Sequence, residues 1–486
     1  MKLSNLFENA PDIEITGLCI DSRKAKQQDL YFCMDGMVHD GHEFIDDVID
    51  KGVKCIVHSK PLAQMKKGIA YIQVEDVNRT LNRVASLFYG HPSRHMTMFG
   101  VTGTNGKSTI TSIIKDVYSN FFPCGYIGTI SISYGDVVLP PSLTTPDPIL
   151  IHKSLDSMRK AGIKACALEV SSHGLELGRV QSVDFDVAIF SNLTYDHLDF
   201  HGTIENYFEA KKKLFTQLKP SGVAILNIDD PYYTKLYEAS NARVVSYGIA
   251  HNANYRADHI SIGTSGSTFT LLHDQKSYEI QTNLVAMYNI YNLLAAIAAM
   301  CESGIELETL IPYLNTLTQI EGRMERIDEG QLFNVIVDFA HTPDGLEKVF
   351  EYAKSITEEE HSIIAVFGSA GKRDTKKRKV FGEIADKYCD SIILTEDDPR
   401  DESAREIANE IKSGIKETNN IFIEDRYSAI RQAIESANVN DTVLILGKGD
   451  EIFMYREFGR EPWLGDHNVA RHCIRKYCLG IEDDIT

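Results

Sequence analysis

The sequence predicts an α/β protein of three domains: a small N-terminal α/β domain, a central doubly wound domain with a phosphate loop, and a C-terminal Rossmann-like α/β domain. Three observations carry this. Apolar runs of strand length alternate with stretches of helical periodicity, a glycine-rich turn joins a strand to a helix at residues 100–109, and the alternation restarts after Arg326. A chain of 486 residues suits two to four domains at roughly 100–200 residues each.

The N-terminal unit spans residues 1–92. Its short apolar runs (IEITGLCI, DLYFCM, CIVHS, AYIQV) are separated by polar turns and one helical stretch at 44–51, and Pro92 and Ser93 make the joint. The central unit, 93–326, opens with MTMFGVTGTNGKST. Further strands follow at 165–170, 187–190 and 223–226, between helical stretches such as 204–218 and 289–301. The C-terminal unit, 327–486, contains four strand–helix repeats built on NVIVDFA, SIIAVFG, SIILTED and TVLILGKG. Strand–helix alternation of this kind makes a mainly parallel sheet.

A net charge of −19 excludes a general nucleic-acid binder, which needs cationic surface to replace counterions. No apolar stretch reaches the ~18 residues that cross a bilayer, and the N-terminus has no secretory pattern, so no membrane insertion is expected. The nine cysteines are scattered without a CxxC pair, which fits reduced thiols in the cytoplasm.

The segment Gly100-Val-Thr-Gly103-Thr104-Asn105-Gly106-Lys107-Ser108-Thr109 has the chemistry of a phosphate site. Glycines let backbone N–H groups crowd round phosphate oxygens, and the following helix presents its positive end. Lys107 suits the β- and γ-phosphates and Ser108 a Mg²⁺ ion, although the usual spacing would need a glycine at Val101. Glu169 ends a strand where open sheets build their sites, and could complete the metal shell or simply be solvated. His197 and His201 follow another strand end among carboxylates.

The segments GVTGTNGKST, LTTPDP, LEVSSHGLELGR, SNLTYDHLDFHGT with YFEAKKKLF, NIYNLLAA, EGRMERID, VIVDFAHTPDGLEKV, GSAGKRD, DDPRDE and LGKGDE occur in the order typical of the Mur ligase family, which the chain resembles along essentially its whole length. The resemblance is to the branch that extends the muramyl dipeptide by a third residue. It implies ATP-dependent addition of a free diamino acid to a UDP-muramyl dipeptide through an acyl phosphate, by a monomer.

Position by position, the resemblance implies that the loop Gly103–Thr109 binds ATP, with Asn289, Asn292, Arg323 and Asp338 around the nucleotide and His341 nearby. It implies that Ser108, Glu169, His197 and a carbamylated Lys211 serve magnesium, with Lys107, Lys211 and His197 catalytic. Ile20, Ser22, Met37, Val38, His39, Thr144, Thr145, Ser171, Leu177 and Arg179 fall on positions for the UDP-muramyl dipeptide. The sequence departs at Leu177, where a relative has glutamine, and at Ala286, where the family usually has glycine.

Arg373, Asp397, Asp398, Pro399, Arg400, Gly447 and Glu451 fall on positions for the incoming amino acid. Arg373 suits its α-carboxylate, since a planar guanidinium binds carboxylate through two bonds. Arg400 and Glu451 suit the distal carboxylate and ammonium of meso-diaminopimelate, which is favoured over L-lysine. Asp398 stands where diaminopimelate users carry asparagine. It either repels a second carboxylate and quenches Arg400, or caps a loop. The competing readings are a folate-glutamylating or cyanophycin-type ligase, and a P-loop NTPase switch. The N-terminal Asp21-Ser22-Arg23 and the DDPR segment argue against the other ligases.

Overall fold

The computed structural model describes residues 1–36, 39–140, 143–317 and 319–481. Its first sheet is parallel and follows chain order: Gly17–Cys19, Asp29–Phe32, Cys55–His58 and Ala70–Gln73. The helical stretch expected at 44–51 is the helix Ile45–Asp50. A second helix, Val77–Phe88, was not anticipated. Asp76 caps it by accepting from Arg79 N at 2.9 Å, and Val77, Leu81, Val84 and Ala85 are buried.

Among the described residues the central sheet has 11 strands. Cys124–Ile127, Ala165–Glu169, Thr97–Thr102, Val187–Phe190, Val223–Asn227, Arg243–Gly248 and Tyr255–Ile262 lie parallel in that order. Ser267–His273 and Lys276–Thr282 extend one edge antiparallel, and Ile132–Tyr134 with Val137–Leu139 the other. The period-two alternation of strand Thr97–Thr102 sends Phe99 and Val101 to a core shared with helices Lys107–Tyr118 and Met287–Glu302. Met98 enters the core on the opposite face, beside Leu155, Leu168 and Phe215. The chain crosses from one side of Thr97–Thr102 to the other, so a crevice opens where that strand ends.

The third sheet begins with Glu325–Arg326, antiparallel to Asn334–Asp338. Thr442–Leu446, Ile363–Phe367, Ser391–Leu394 and Asn419–Phe422 continue it in parallel. The last of these adds a strand to the four that the apolar runs marked. Its alternating exposure at the sheet edge hides it from a search for apolar runs. No helix among the described residues is long and apolar enough to cross a membrane.

Candidate active site

The phosphate loop leaves strand Thr97–Thr102 and enters helix Lys107–Tyr118. Gly103 and Gly106 have φ of 153° and 89°, and side chains there would collide with Ser191 Oγ and Asn292 Oδ1 respectively. Lys107 folds back over the loop, its Nζ donating to Gly103 O at 3.0 Å and Thr104 O at 2.8 Å. Burial lowers its pKa, with Glu169 and Asp196 opposing. Asn105 holds the loop to a neighbouring strand end, its N–H donating to Asn192 Oδ1 at 3.0 Å. Its side-chain amide donates to Asp344 Oδ2, also at 3.0 Å, on helix Pro343–Ile356 of the third domain.

Glu169 is buried at the end of its strand and does not project into solvent. Ser108 Oγ donates to its Oε2 at 3.0 Å, Thr129 N to Oε1 at 3.0 Å and Thr129 Oγ1 to Oε2 at 3.1 Å, and Tyr126 OH bonds Oε1 as well. Lys211, on helix Ile204–Thr216, is 1% exposed. Its Nζ donates to Gly103 O at 2.7 Å and lies 4.4 Å from the centre of the Tyr207 ring. Burial, reinforced by Lys107, pushes its pKa well down. His197 Nε2 lies 3.2 Å from Asp196 Oδ2, and burial pushes its pKa down to about 3 against the pull of Asp196.

Around the nucleotide positions, Asn292 Nδ2 donates to Asn289 Oδ1 at 3.0 Å. The Arg323 guanidinium lies 4.1 Å over the Phe339 ring and 3.2 Å from Asp450 Oδ1. Asp338 accepts from Met324 N at 2.7 Å and Ala340 N at 2.8 Å, and burial pushes its pKa up to about 6 with Arg323 opposing. The His341 ring is 2.9 Å from Phe339 O through Nδ1.

One cavity of about 990 Å³ collects these groups. Residues 104–109, Thr144, Glu169, Ser171, His197, Lys211, Asn289, Asn292, Arg323, Asp338, His341, Arg373 and Glu451 all line it. Positions from the central and third domains are thereby joined. Thr145 and Arg179 stand just behind: Thr145 Oγ1 donates to Glu169 O at 2.8 Å, and Arg179 donates to Thr145 O at 2.8 Å. Leu177 contributes its carbonyl, which accepts from Asn78 Nδ2 of the first domain at 2.6 Å.

Other expected positions lie outside this cavity. Ile20, Ser22 and His39 remain on the first domain, and Met37 and Val38 fall outside the described residues. Asp397, Asp398, Pro399, Arg400 and Gly447 are also absent from the lining. Asp398 Oδ1 instead accepts from Lys448 Nζ at 2.7 Å and Tyr455 N at 3.0 Å. Of the two readings of Asp398, the geometry favours the loop-holding one. Burial pushes Glu451 up to about 7, with Lys448 opposing. Tyr126, Thr129, Asn192, Asp196 and Tyr207 were not singled out from sequence, because what marks them is contact with a site residue far along the chain.

A buried hydroxyl–carboxylate pair next to a lysine-bearing phosphate loop is equipped to hold a nucleotide and a hard cation. Arg373 and Glu451 across the cavity are equipped for a carboxylate and an ammonium.

Known family patterns match successive parts of the chain. Residues 14–89 match the Mur ligase family catalytic domain, 101–300 the Mur ligase middle domain and 322–449 the Mur ligase glutamate ligase domain. The UDP-N-acetylmuramoyl-L-alanyl-D-glutamate–2,6-diaminopimelate ligase of Geobacillus kaustophilus is 37% identical, over 98% of this chain and 100% of its own. The ligase of the same name from Caldanaerobacter subterraneus subsp. tengcongensis is 39% identical over 91% of each chain. A solved structure of a ligase so named has a TM-score of 0.69 at 28% identity, covering 98% of both chains. MurF ligase from Thermotoga maritima in complex with ADP has a TM-score of 0.66 at 18% identity over 90% of this chain and 95% of its own, a likeness of fold. The class so defined is that of ATP-dependent, amide-forming ligases. Within it, the chain belongs to the Mur ligase family.

Proposed function

We propose that this protein adds meso-diaminopimelate to UDP-N-acetylmuramoyl-L-alanyl-D-glutamate, consuming ATP through an acyl phosphate, in peptidoglycan precursor synthesis. The observation that carries this reading is the shared cavity. It is lined by the phosphate loop and Glu169 on one side and by Arg373 and Glu451 on the other. Residues 1–92 take the UDP-sugar, 93–326 the ATP and 327–486 the amino acid, and a cytoplasmic monomer suffices for the reaction.

The chemistry follows from the electrophile. A carboxylate resists attack by an amine, so one of its oxygens first attacks the γ-phosphorus and ADP leaves. The diamino acid's amine then attacks the acyl carbon, loses its proton and expels inorganic phosphate. Lys107 neutralises charge gathering on the transferring phosphoryl group. Asn289, Asn292, Arg323 and Asp338 hold the nucleotide in line with the acid. Arg373 fixes the amino acid's α-carboxylate, and Glu451 its distal ammonium.

The donor set suits Mg²⁺. Ser108 and Glu169 offer hard oxygens already 3.0 Å apart. Lys211 as an ammonium does not suit a cation, but its suppressed pKa favours the neutral amine that takes up CO₂. As a carbamate it joins Ser108, Glu169 and His197 as a ligand. Bound there, Mg²⁺ supplies charge neutralisation on the phosphates.

A panel of amino acids offered with UDP-N-acetylmuramoyl-L-alanyl-D-glutamate and ATP tests the proposal. The expected product is the diaminopimelate adduct. Formation of a glutamate adduct alone, or of no adduct, overturns it.

A further inference from the structure

Lys448 is fully buried between the end of strand Thr442–Leu446 and the hairpin strand Phe453–Arg456. Its Nζ lies 2.7 Å from Asp398 Oδ1 and 2.5 Å from Glu451 Oε2. Gly447 before it has φ of 111°, and a side chain there would run into the Asp397 carboxylate, so the backbone turn that aims Lys448 needs glycine. Asp398 itself has φ of 44° and is pinned by Tyr455 N at 3.0 Å.

Two carboxylates, Asp398 and Glu451, therefore share one ammonium. The neighbouring cations are committed elsewhere. Arg426 pairs with Asp466 at 2.6 Å, and Arg456 with Glu396 through NH2 at 2.8 Å. Arg400, two residues from Asp398, donates to the Gly371 carbonyl and has no carboxylate partner within 4.0 Å among the described residues. Asp398 is thus paired with Lys448 and not with Arg400.

We propose that Lys448 is a positioning residue for amino-acid specificity: by binding Asp398 and orienting Glu451, it lets a site with the sequence Asp-Asp-Pro-Arg accept a diamino acid with a distal carboxylate. This deepens the diaminopimelate reading above and rests on it. Glu451 faces the cavity, and the Lys448 contact fixes which way its carboxylate points. Without the ammonium, Asp398 becomes a buried carboxylate with no cation partner, two residues from Arg400. It then either quenches that guanidinium or repels the distal carboxylate. L-Lysine, lacking that carboxylate, is indifferent to both effects.

The test compares kcat/KM for meso-diaminopimelate and for L-lysine in wild type, Lys448→Met, Asp398→Asn and the double variant, with melting curves on each. Lys448→Met is expected to lower the diaminopimelate-to-lysine ratio by ~10-fold or more, chiefly through KM for diaminopimelate. The double variant is expected to restore the ratio to within ~3-fold, because no unpaired carboxylate remains at 398. Asp398→Asn alone is expected to move it less than ~3-fold, since that carboxylate is already held by Lys448. Equal losses with both amino acids in a folded Lys448→Met protein overturn the proposal. So does a ~10-fold shift in Asp398→Asn alone, an arm that decides the matter even if Lys448→Met does not fold. Wild-type protein inactive with both amino acids removes the function reading itself, and this inference with it.

Discussion

Lys107 and Lys211 share an acceptor: both ammonium groups donate to Gly103 O, at 3.0 and 2.7 Å. Two buried cations on one carbonyl repel each other, and burial joined by that repulsion drives the Lys211 pKa well down. In the proposed mechanism a phosphate chain would relieve Lys107, and carbamylation would convert Lys211 from a competing cation into an anion.

Lys211→Ala is therefore expected to lower ligation by at least ~10³-fold while ATP still binds, and short carboxylates such as acetate are expected to restore part of the rate. Steady-state assays with and without added carboxylate measure this. Full activity in Lys211→Ala without any addition contradicts the carbamate role.

Ala286 precedes helix Met287–Glu302 with φ of 72° and ψ of 145°, a region open mainly to glycine. Asn289, three residues on, lines the cavity. Ala286→Gly relieves the strain, offset by the greater freedom of glycine in the unfolded chain. A net gain of about 1 kcal/mol is expected, read as a higher Tm. A lower Tm shows that the buried methyl group outweighs the strain.

His152, on helix Pro148–Lys160, is 0% exposed, and neither ring nitrogen has a hydrogen-bond partner. Burial pushes its pKa from 6.5 down to about 4, with His91 adding to the effect. Between these values the unfolded chain binds a proton that the folded one refuses, so stability is complete above pH 6.5 and falls as pH drops toward 4. At pH 5 the loss from this one group is about 2 kcal/mol. His152→Phe removes it, and its Tm is expected to fall less between pH 7 and pH 5 than that of wild type. Parallel slopes contradict the assignment.

What could be read from the residues was what local chemistry dictates. A glycine-rich turn before a helix marks a phosphate loop, and the all-apolar strands of a buried parallel sheet announce themselves. Edge elements escaped, because Val137–Leu139 is only three exposed residues long and Asn419–Phe422 alternates between exposed and half-buried. Helix Val77–Phe88 carries its signals, the Asp76 cap and apolar residues at helical spacing, directly after a strand run that masks them. Partnerships were the least legible layer. Asp398 reads as a substrate-facing charge until Lys448, fifty residues later, is found 2.7 Å away. Glu169 reads as a strand-end acid until Tyr126 and Thr129 are seen holding it.

In the proposed mechanism a glutamyl oxygen is phosphorylated within this cavity before the amide forms. UDP-N-acetylmuramoyl-L-alanyl-D-glutamate labelled with ¹⁸O in its carboxylates tests it most directly, through the mass of the phosphate released during ligation. Passage through an acyl phosphate transfers one labelled oxygen to each phosphate. Phosphate released without label contradicts the account.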